Sequence, residues 1–495
     1  MKKYAIPIIL LILIIFYFAT RLYDIMGLPL FTDEAIYVRW SQIARYDANW
    51  RFISLTDGKQ PSFVWLTMTM MKFVQDPLLA GRLVSVMAGF ISLIGLFFLG
   101  REIFRSTWVG IASIALYIIF PMALVYDRMA LYDGLVGTFT IWGLYLQILV
   151  IRYLRLDTAL LLGMVTGGGV LTKTSAFFSI YLLPCSLLLF NFFVKKRLVN
   201  FLRWMGLAVL AVILTYGYYS ILRLSPFLHI INEKNSIFVY SFRDWLGHPW
   251  EFFWGNLLGE WDWFIKYVSW PVIALIAGSF LVYRQYTREK LLLLVWFAVP
   301  FVALALFGRV LYPRFIFFMI LPLLPLAALS FIFLATQLKK TLVVAILAFL
   351  LLLISFRTDY FILTDFARAP VPFQDLEQYI NSWPAGGGLR EIIAFLDKQA
   401  QKGKIYVASE GTFGSLPTYG VEIYLGDNKN VEKRGIWPLP KEGIEANLQE
   451  KAKTIPVYFI FNQTQVFPDK WPITFIARYQ KGVGNSYMSL YQVNP

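Results

Sequence analysis

The sequence predicts a polytopic α-helical membrane protein of about eleven transmembrane helices, followed by a separate soluble α/β domain. Three observations carry this. Of 495 residues, 58% are hydrophobic, 18% aromatic and only 15% charged, a balance that a water-soluble domain of this length does not sustain. The apolar residues gather into runs separated by short basic segments. From Arg357 onward the composition turns to glycine, proline and charge, and no later run is long enough to span a bilayer.

The first run covers Tyr4 to Ala19; the others fall at residues 78–99, 107–124, 134–150, 159–172, 175–193, 204–221, 267–283, 291–307, 315–334 and 341–356. Several are shorter than the ~20 residues of a straight span. Broken or tilted helices are therefore expected, above all around Gly167-Gly168-Gly169. Met1-Lys2-Lys3 before the first run has the look of a signal peptide, but no small-residue cleavage site follows, so the run reads as an anchor. Residues 21–77 and 222–266 form two long loops. The first mixes Trp40, Ile43, Trp50, Phe63 and Trp65 with charges, as helices lying along a membrane surface do. The second carries Trp245, Trp250, Trp254, Trp261 and Trp263, which predicts an interfacial helix placed as a lid over a lipid-linked substrate.

Arg101 and Arg105, Arg152 and Arg155, Lys195-Lys196-Arg197, and Arg284, Arg288 and Lys290 all fall on the side of Lys2 and Lys3. Basic density in short loops marks the cytoplasmic face, so the amino terminus is expected there. This partition accounts for most of the net charge of +15 and leaves no need for a nucleic-acid partner. An odd number of spans then puts residues 357–495 outside the cytoplasm, on the side of both long loops. In that region 389–400 and 444–452 read as helices and 404–408, 456–461, 473–479 and 487–493 as strands. The domains are thus 1–356 and 357–495. The lone Cys185 excludes a disulfide framework within the chain, and His229 and His248 lack metal-ligand spacing, so no metal site is predicted.

The chemistry concentrates at span ends. Asp33 and Glu34 follow the first span, where carboxylates are costly unless they act or cap a helix. Asp133 opens another span after Asp127-Arg128, with the same two readings; Asp127 and Arg128 read as a local pair. Lys173, in Gly167-Gly-Gly-Val-Leu-Thr-Lys173, resembles a P-loop lysine but has Thr172 where a glycine is required. It reads either as a snorkelling side chain or as an ammonium facing a lipid phosphate. Arg314, in Leu311-Tyr312-Pro-Arg-Phe315, has the same alternatives, and its planar fork suits phosphate. Asn462-Gln-Thr464 matches a glycosylation acceptor, a pattern too common to carry weight. Acids and bases at one lip suit a polyprenyl-phosphate sugar: tail between the spans, phosphate at Lys173 and Arg314, sugar at Asp33, with an acid assisting an acceptor hydroxyl.

The order of these elements resembles the polyprenyl-phosphate-dependent membrane glycosyltransferases of the GT-C fold, specifically the bacterial branch of family 39. That group includes protein O-mannosyltransferases and is similar to the lipid A aminoarabinose transferases. The resemblance covers most of residues 1–356 and rests on Thr32-Asp-Glu-Ala35, Gln60-Pro-Ser-Phe-Val-Trp65, Arg128 to Asp133, Gly169-Val-Leu-Thr-Lys173 and Tyr312-Pro-Arg314. It implies an inverting transfer from an undecaprenyl- or dolichyl-type phosphosugar. Asp33 matches the catalytic base, with Glu34 beside it; Asp133 matches the second loop acid and is expected to be catalytic with them, and Lys173 matches the lysine ending the fifth span. Donor-phosphate binding is expected of Lys173, Arg314 and Arg128, and substrate contact of Lys59, Gln60 and Tyr312. Ser62 replaces the family's usual second proline, and no Trp-Trp-Asp-Tyr-Gly run marks an oligosaccharyltransferase.

The competing class is a transporter or flippase of a lipid-linked substrate, which calls for midplane charges and internal repeats. The sequence names neither the sugar nor the acceptor. It requires no cofactor, and it leaves a divalent metal open.

Overall fold

A backbone in lipid has no water to bond, so the Leu-, Ile- and Phe-rich runs close their hydrogen bonds within themselves and fold as helices. The computed structural model describes residues 2–338, 340–411, 414–440, 443–466 and 471–495. Among the described residues, seven helices are long and apolar enough to cross a membrane: Ala5–Leu22, Pro77–Phe104, Tyr132–Tyr153, Arg197–Leu224, Arg284–Phe307, Pro313–Leu338 and Thr341–Thr364. The remaining apolar runs are not straight spans. Thr107–Ile118, Leu156–Val170 and Thr174–Leu189 are short, and Phe253–Val268 meets Trp270–Leu281 at a 97° bend. Expected single spans give way at local breakers: Leu156–Val170 ends just past the glycine triplet, Pro184 lies in the 3-10 stretch Leu183–Leu189, and Ser269 takes φ +68° at the bend.

The first helix is locked to its neighbours by a fully buried ion pair, Arg21 Nε to Asp127 Oδ2 at 3.3 Å. The Tyr117 hydroxyl donates to Asp127 Oδ1 at 2.9 Å, and Gly89 makes the space: a Cβ there would lie 2.4 Å from Asp127 Cγ. The expected local pairing of Asp127 with Arg128 does not occur, because Asp127 turns to the first helix while Arg128 donates to the Tyr23 and Asp24 carbonyls at 2.6 and 3.1 Å.

Residues 405–493 form a five-stranded sheet in the order β2-β1-β3-β5-β4, with β1 Ile405–Glu410, β2 Val431–Ile436, β3 Val457–Phe461, β4 Ile473–Gln480 and β5 Tyr487–Val493. Strands β2, β1 and β3 run parallel; β5 and β4 join antiparallel. Helices Leu389–Ala400, Leu416–Leu425 and Ala446–Ala452 accompany it. The helix Leu416–Leu425 and strand β2 are additions to the expected elements. The former carries Pro417 and Gly420, and the latter has polar side chains at its partly exposed middle, so neither shows a clean apolar period.

The sheet domain is not free of the membrane domain. The last long helix continues to Thr364, beyond the expected boundary at 356, and residues 366–388 then pack back on the bundle. Arg39 donates to Glu422 at 2.7 Å, Gln42 to the Ile423 carbonyl at 3.1 Å, and Thr32 N to the Pro384 carbonyl at 3.0 Å. Within the sheet domain, the buried Glu410 carboxylate accepts from the backbone N–H groups of Asn462, Gln463 and Thr464 and from the Thr464 hydroxyl, at 2.6 to 3.1 Å. Asn462 itself is buried and donates its side-chain amide to the Trp383 carbonyl at 3.0 Å, while its oxygen accepts from Lys481. Glu410→Ala strands those donors and is expected to lower stability by about 3 kcal/mol, measured as a fall in the unfolding midpoint of the purified protein.

Candidate active site

Helix Thr32–Tyr46 starts immediately after the extended residue Phe31, and its two adjacent acids diverge by one helical step. Glu34 turns inward. It is fully buried and takes a two-point salt bridge from Arg82, Nε to Oε1 at 2.9 Å and Nη2 to Oε2 at 2.8 Å. It also accepts from the N–H of Phe31 at 3.1 Å and of Ala130 at 2.7 Å. Arg82 spends its remaining donors on the carbonyls of Ile25, Leu28 and Pro29. Glu34 therefore holds the helix start in place, and the catalytic part expected of it beside Asp33 has no free oxygen to act through.

Asp33 turns the other way and keeps some exposure, with 26% of its side chain accessible. Arg314 Nη2 donates to Asp33 Oδ2 at 2.9 Å, and Arg314 Nη1 donates to Gln378 Oε1 at 3.2 Å. Arg314 sits at the entrance of its span because Pro313 starts a 3-10 turn after the extended Tyr312. Its guanidinium lies 4.9 Å from the Tyr312 ring centroid and 5.5 Å from that of Phe31.

A second pair stands beside the first. Lys173 Nζ meets Asp133 Oδ1 at 2.7 Å, from the extended residue after helix Leu156–Val170 to the first turn of helix Tyr132–Tyr153. The Phe315 ring joins the two: its centroid is 4.7 Å from Lys173 Nζ and 5.9 Å from Arg314 Cζ. Four segments far apart in sequence thus converge at one end of the bundle. Lys59 is the third cation, half-buried with its ammonium 5.2 Å from the Phe238 ring. Burial pushes it down to about 8 against the pull of Asp33, with Lys173 and Lys234 adding to the depression. Gln60 donates to Thr174 Oγ1 at 2.9 Å, bracing the turn that carries Lys173.

Arg128 lies elsewhere than the expected phosphate site. It is buried on the Tyr23 and Asp24 carbonyls, among Arg82 and Arg21, and none of its contacts reaches Lys173 or Arg314. Sequence reasoning missed three contributors. Tyr37, one turn after Asp33, is buried, and burial together with the fields of Asp33 and Asp133 keeps its hydroxyl protonated against the opposing pull of Arg314; the four-residue spacing from Asp33 was its signal. Arg82 reads as an ordinary residue near the start of a span. Gln378 gives no sequence signal. Among the described residues no group of three His, Cys, Asp or Glu side chains is placed to hold a metal ion. Removing Arg82 leaves Glu34 buried and unpaired, so Arg82→Ala is expected to cost about 3–5 kcal/mol, read as loss of monodisperse folded protein in detergent.

Residues 58–219 match the family described as dolichyl-phosphate-mannose-protein mannosyltransferase. In structure the chain is similar to ArnT from Cupriavidus metallidurans bound to undecaprenyl phosphate, with TM-score 0.58 and 14% identity over 99% of each chain. The apo state of that protein gives 0.57 and 13%, over 100% of this chain and 99% of the other. The archaeal oligosaccharyltransferase AglB from Archaeoglobus fulgidus, in complex with an inhibitory peptide and a dolichol-phosphate, gives 0.52 and 11%, covering 93% of this chain and 69% of that one. At these identities the likeness is one of fold. No curated protein matches the sequence.

Proposed function

We propose that this chain, which has the GT-C fold and is like the family 39 membrane glycosyltransferases, transfers a sugar from a polyprenyl phosphate to an acceptor hydroxyl at the outer face of the membrane, with inversion. The observation that carries the reading is the pair of ion pairs, Asp33–Arg314 and Asp133–Lys173, meeting across Phe315 at one end of an apolar bundle. Such a site offers cations for a phosphate, a carboxylate for a proton and lipid-facing helices for a tail.

In this reading the donor phosphate draws Arg314 and Lys173 toward itself, with Lys59 as the third cation and Tyr312 flanking the guanidinium. The carboxylate of Asp33, relieved of its partner, then accepts the proton of the acceptor hydroxyl. The acceptor oxygen bonds to the anomeric carbon while the carbon–oxygen bond to phosphate breaks, and the electron pair leaves on the lipid phosphate. The three cations stabilise that charge, the part a divalent metal plays in many sugar-nucleotide enzymes. Asp133 holds Lys173 in reach, and Gln60 holds the turn beneath it. In this reading the amino terminus is cytoplasmic and the sheet domain lies outside, as the basic density of the short loops suggests.

The test uses purified protein in lipid with a panel of radiolabelled polyprenyl-phosphate sugars, with and without chelator. Asp33→Asn is expected to reduce sugar release by about 10²-fold or more while the protein stays folded, and chelator is expected to change nothing. Labelled lipid crossing the bilayer without sugar release would instead make the protein a flippase. A second expectation concerns pH. Lys59 carries its charge below about 8 and loses it above, so affinity for undecaprenyl phosphate should weaken as pH rises from 7 to 9. In Lys59→Gln that dependence should be absent; titration calorimetry at several pH values reads both.

A further inference from the structure

We propose that Gln378 is a positioning residue for Arg314, which makes the segment joining the membrane domain to the sheet domain a working part of the active site. The inference rests on the reading of Asp33 and Arg314 given above and extends it to a region with no assigned role.

The segment runs as one α-helical turn, Phe373–Leu376, followed directly by a π-helical stretch, Glu377–Asn381. Side chains four and five apart share a face there, and Gln374, Asp375, Gln378 and Tyr379 reach the membrane domain. Gln374 Oε1 accepts from the Trp263 indole at 3.1 Å. Asp375 accepts from the hydroxyls of Tyr126, at 2.7 Å, and Tyr267. Gln378 accepts from Arg314, and the Tyr379 ring meets Phe31 edge-on at 4.9 Å. A π turn is a costly local geometry, kept mostly where it serves a site. Here the widened turn falls on the residues that reach Arg314 and Phe31.

The segment also touches the other half of the pair. Thr32, next to Asp33, donates through both its backbone N–H and its hydroxyl to the Pro384 carbonyl at 3.0 and 2.9 Å, and Phe31 bridges to Ala385. One short stretch therefore fixes both Asp33 and Arg314.

The chemistry of the side chain fits the task. A guanidinium presents its donors in a rigid plane, and Gln378 occupies one terminal nitrogen while Asp33 takes the other. A neutral amide oxygen sets that plane without adding a negative charge to compete with Asp33 or with an incoming phosphate. An apolar residue would leave the fork free to rotate about its long side chain.

The experiment compares Gln378→Ala, Gln378→Glu and Gln374→Ala in full-length protein in lipid, by kcat and KM with the donor found above and by undecaprenyl-phosphate binding. Gln378→Ala is expected to lower kcat by about 10- to 100-fold and to weaken lipid-phosphate binding, with acceptor KM unchanged. Gln378→Glu, which restores an acceptor oxygen, should recover part of kcat. Gln374→Ala, which loosens the same segment at Trp263, should stay within about twofold of wild type. Wild-type kcat in Gln378→Ala, or an equal loss in Gln374→Ala, would overturn the proposal. If no donor is turned over, the transferase reading fails and binding alone decides: Gln378→Ala must bind undecaprenyl phosphate more weakly than wild type and Gln374→Ala, and equal binding refutes positioning.

Discussion

The buried pair between Glu34 and Arg82 is the constraint on which the site depends. Two charges removed from water survive only where each is fully hydrogen-bonded, and these two satisfy one another and five backbone groups between them. Those backbone groups belong to the turn after the first helix, to the start of helix Thr32–Tyr46 and to the stretch before helix Tyr132–Tyr153. The pair thus ties three separate parts of the chain at one point. With Glu34 fixed, the helical step turns Asp33 about 100° away from it, and the acid that faces the open end of the bundle is determined by the one that does not.

The charges on the open side are held differently. Asp33 and Asp133 each have a single cationic partner, one member of each pair, Asp33 and Lys173, retains some exposure, and the cations share an aromatic ring instead of a network of carbonyls. Each of these carboxylates has fewer partners to lose than Glu34, which is held by a two-point salt bridge and two backbone N–H groups. The bundle therefore separates its ionic groups by task. Arg21 with Asp127, and Arg82 with Glu34, are committed to holding helices; Lys59, Lys173 and Arg314 are the cations that the proposed reading assigns to the donor phosphate.

Much of this was legible in the sequence, for identifiable reasons. Hydrophobic runs stand out, so each of the seven long helices coincides with an apolar run, although length alone did not separate straight spans from bent or short ones, and Phe253–Val268, half of the bent pair, falls in the stretch 222–266 expected as a loop. Ionisable residues at span ends are rare enough to stand out, which is why Asp33, Asp133, Lys173 and Arg314 were visible before any geometry was known. What could not be read was pairing. Glu34 and Arg128 have the same local surroundings in sequence as Asp33 and Asp133, and only the distant Arg82 and the Tyr23 carbonyl decide that they face inward. Gln378 was invisible for the same reason: an isolated glutamine in a polar stretch acquires meaning only when the chain folds back on Arg314.

The burial of Asn462 takes the Asn462-Gln-Thr464 triplet out of an enzyme's reach in the folded protein. Its amide nitrogen is occupied by Trp383 and its oxygen by Lys481, and the following residues are clamped on Glu410. An enzyme that attaches glycans to Asn-X-Thr needs that nitrogen exposed and the backbone around it free. In a host that carries out this modification, the folded protein is refractory, and only a chain still waiting for its carboxy-terminal strands presents the acceptor.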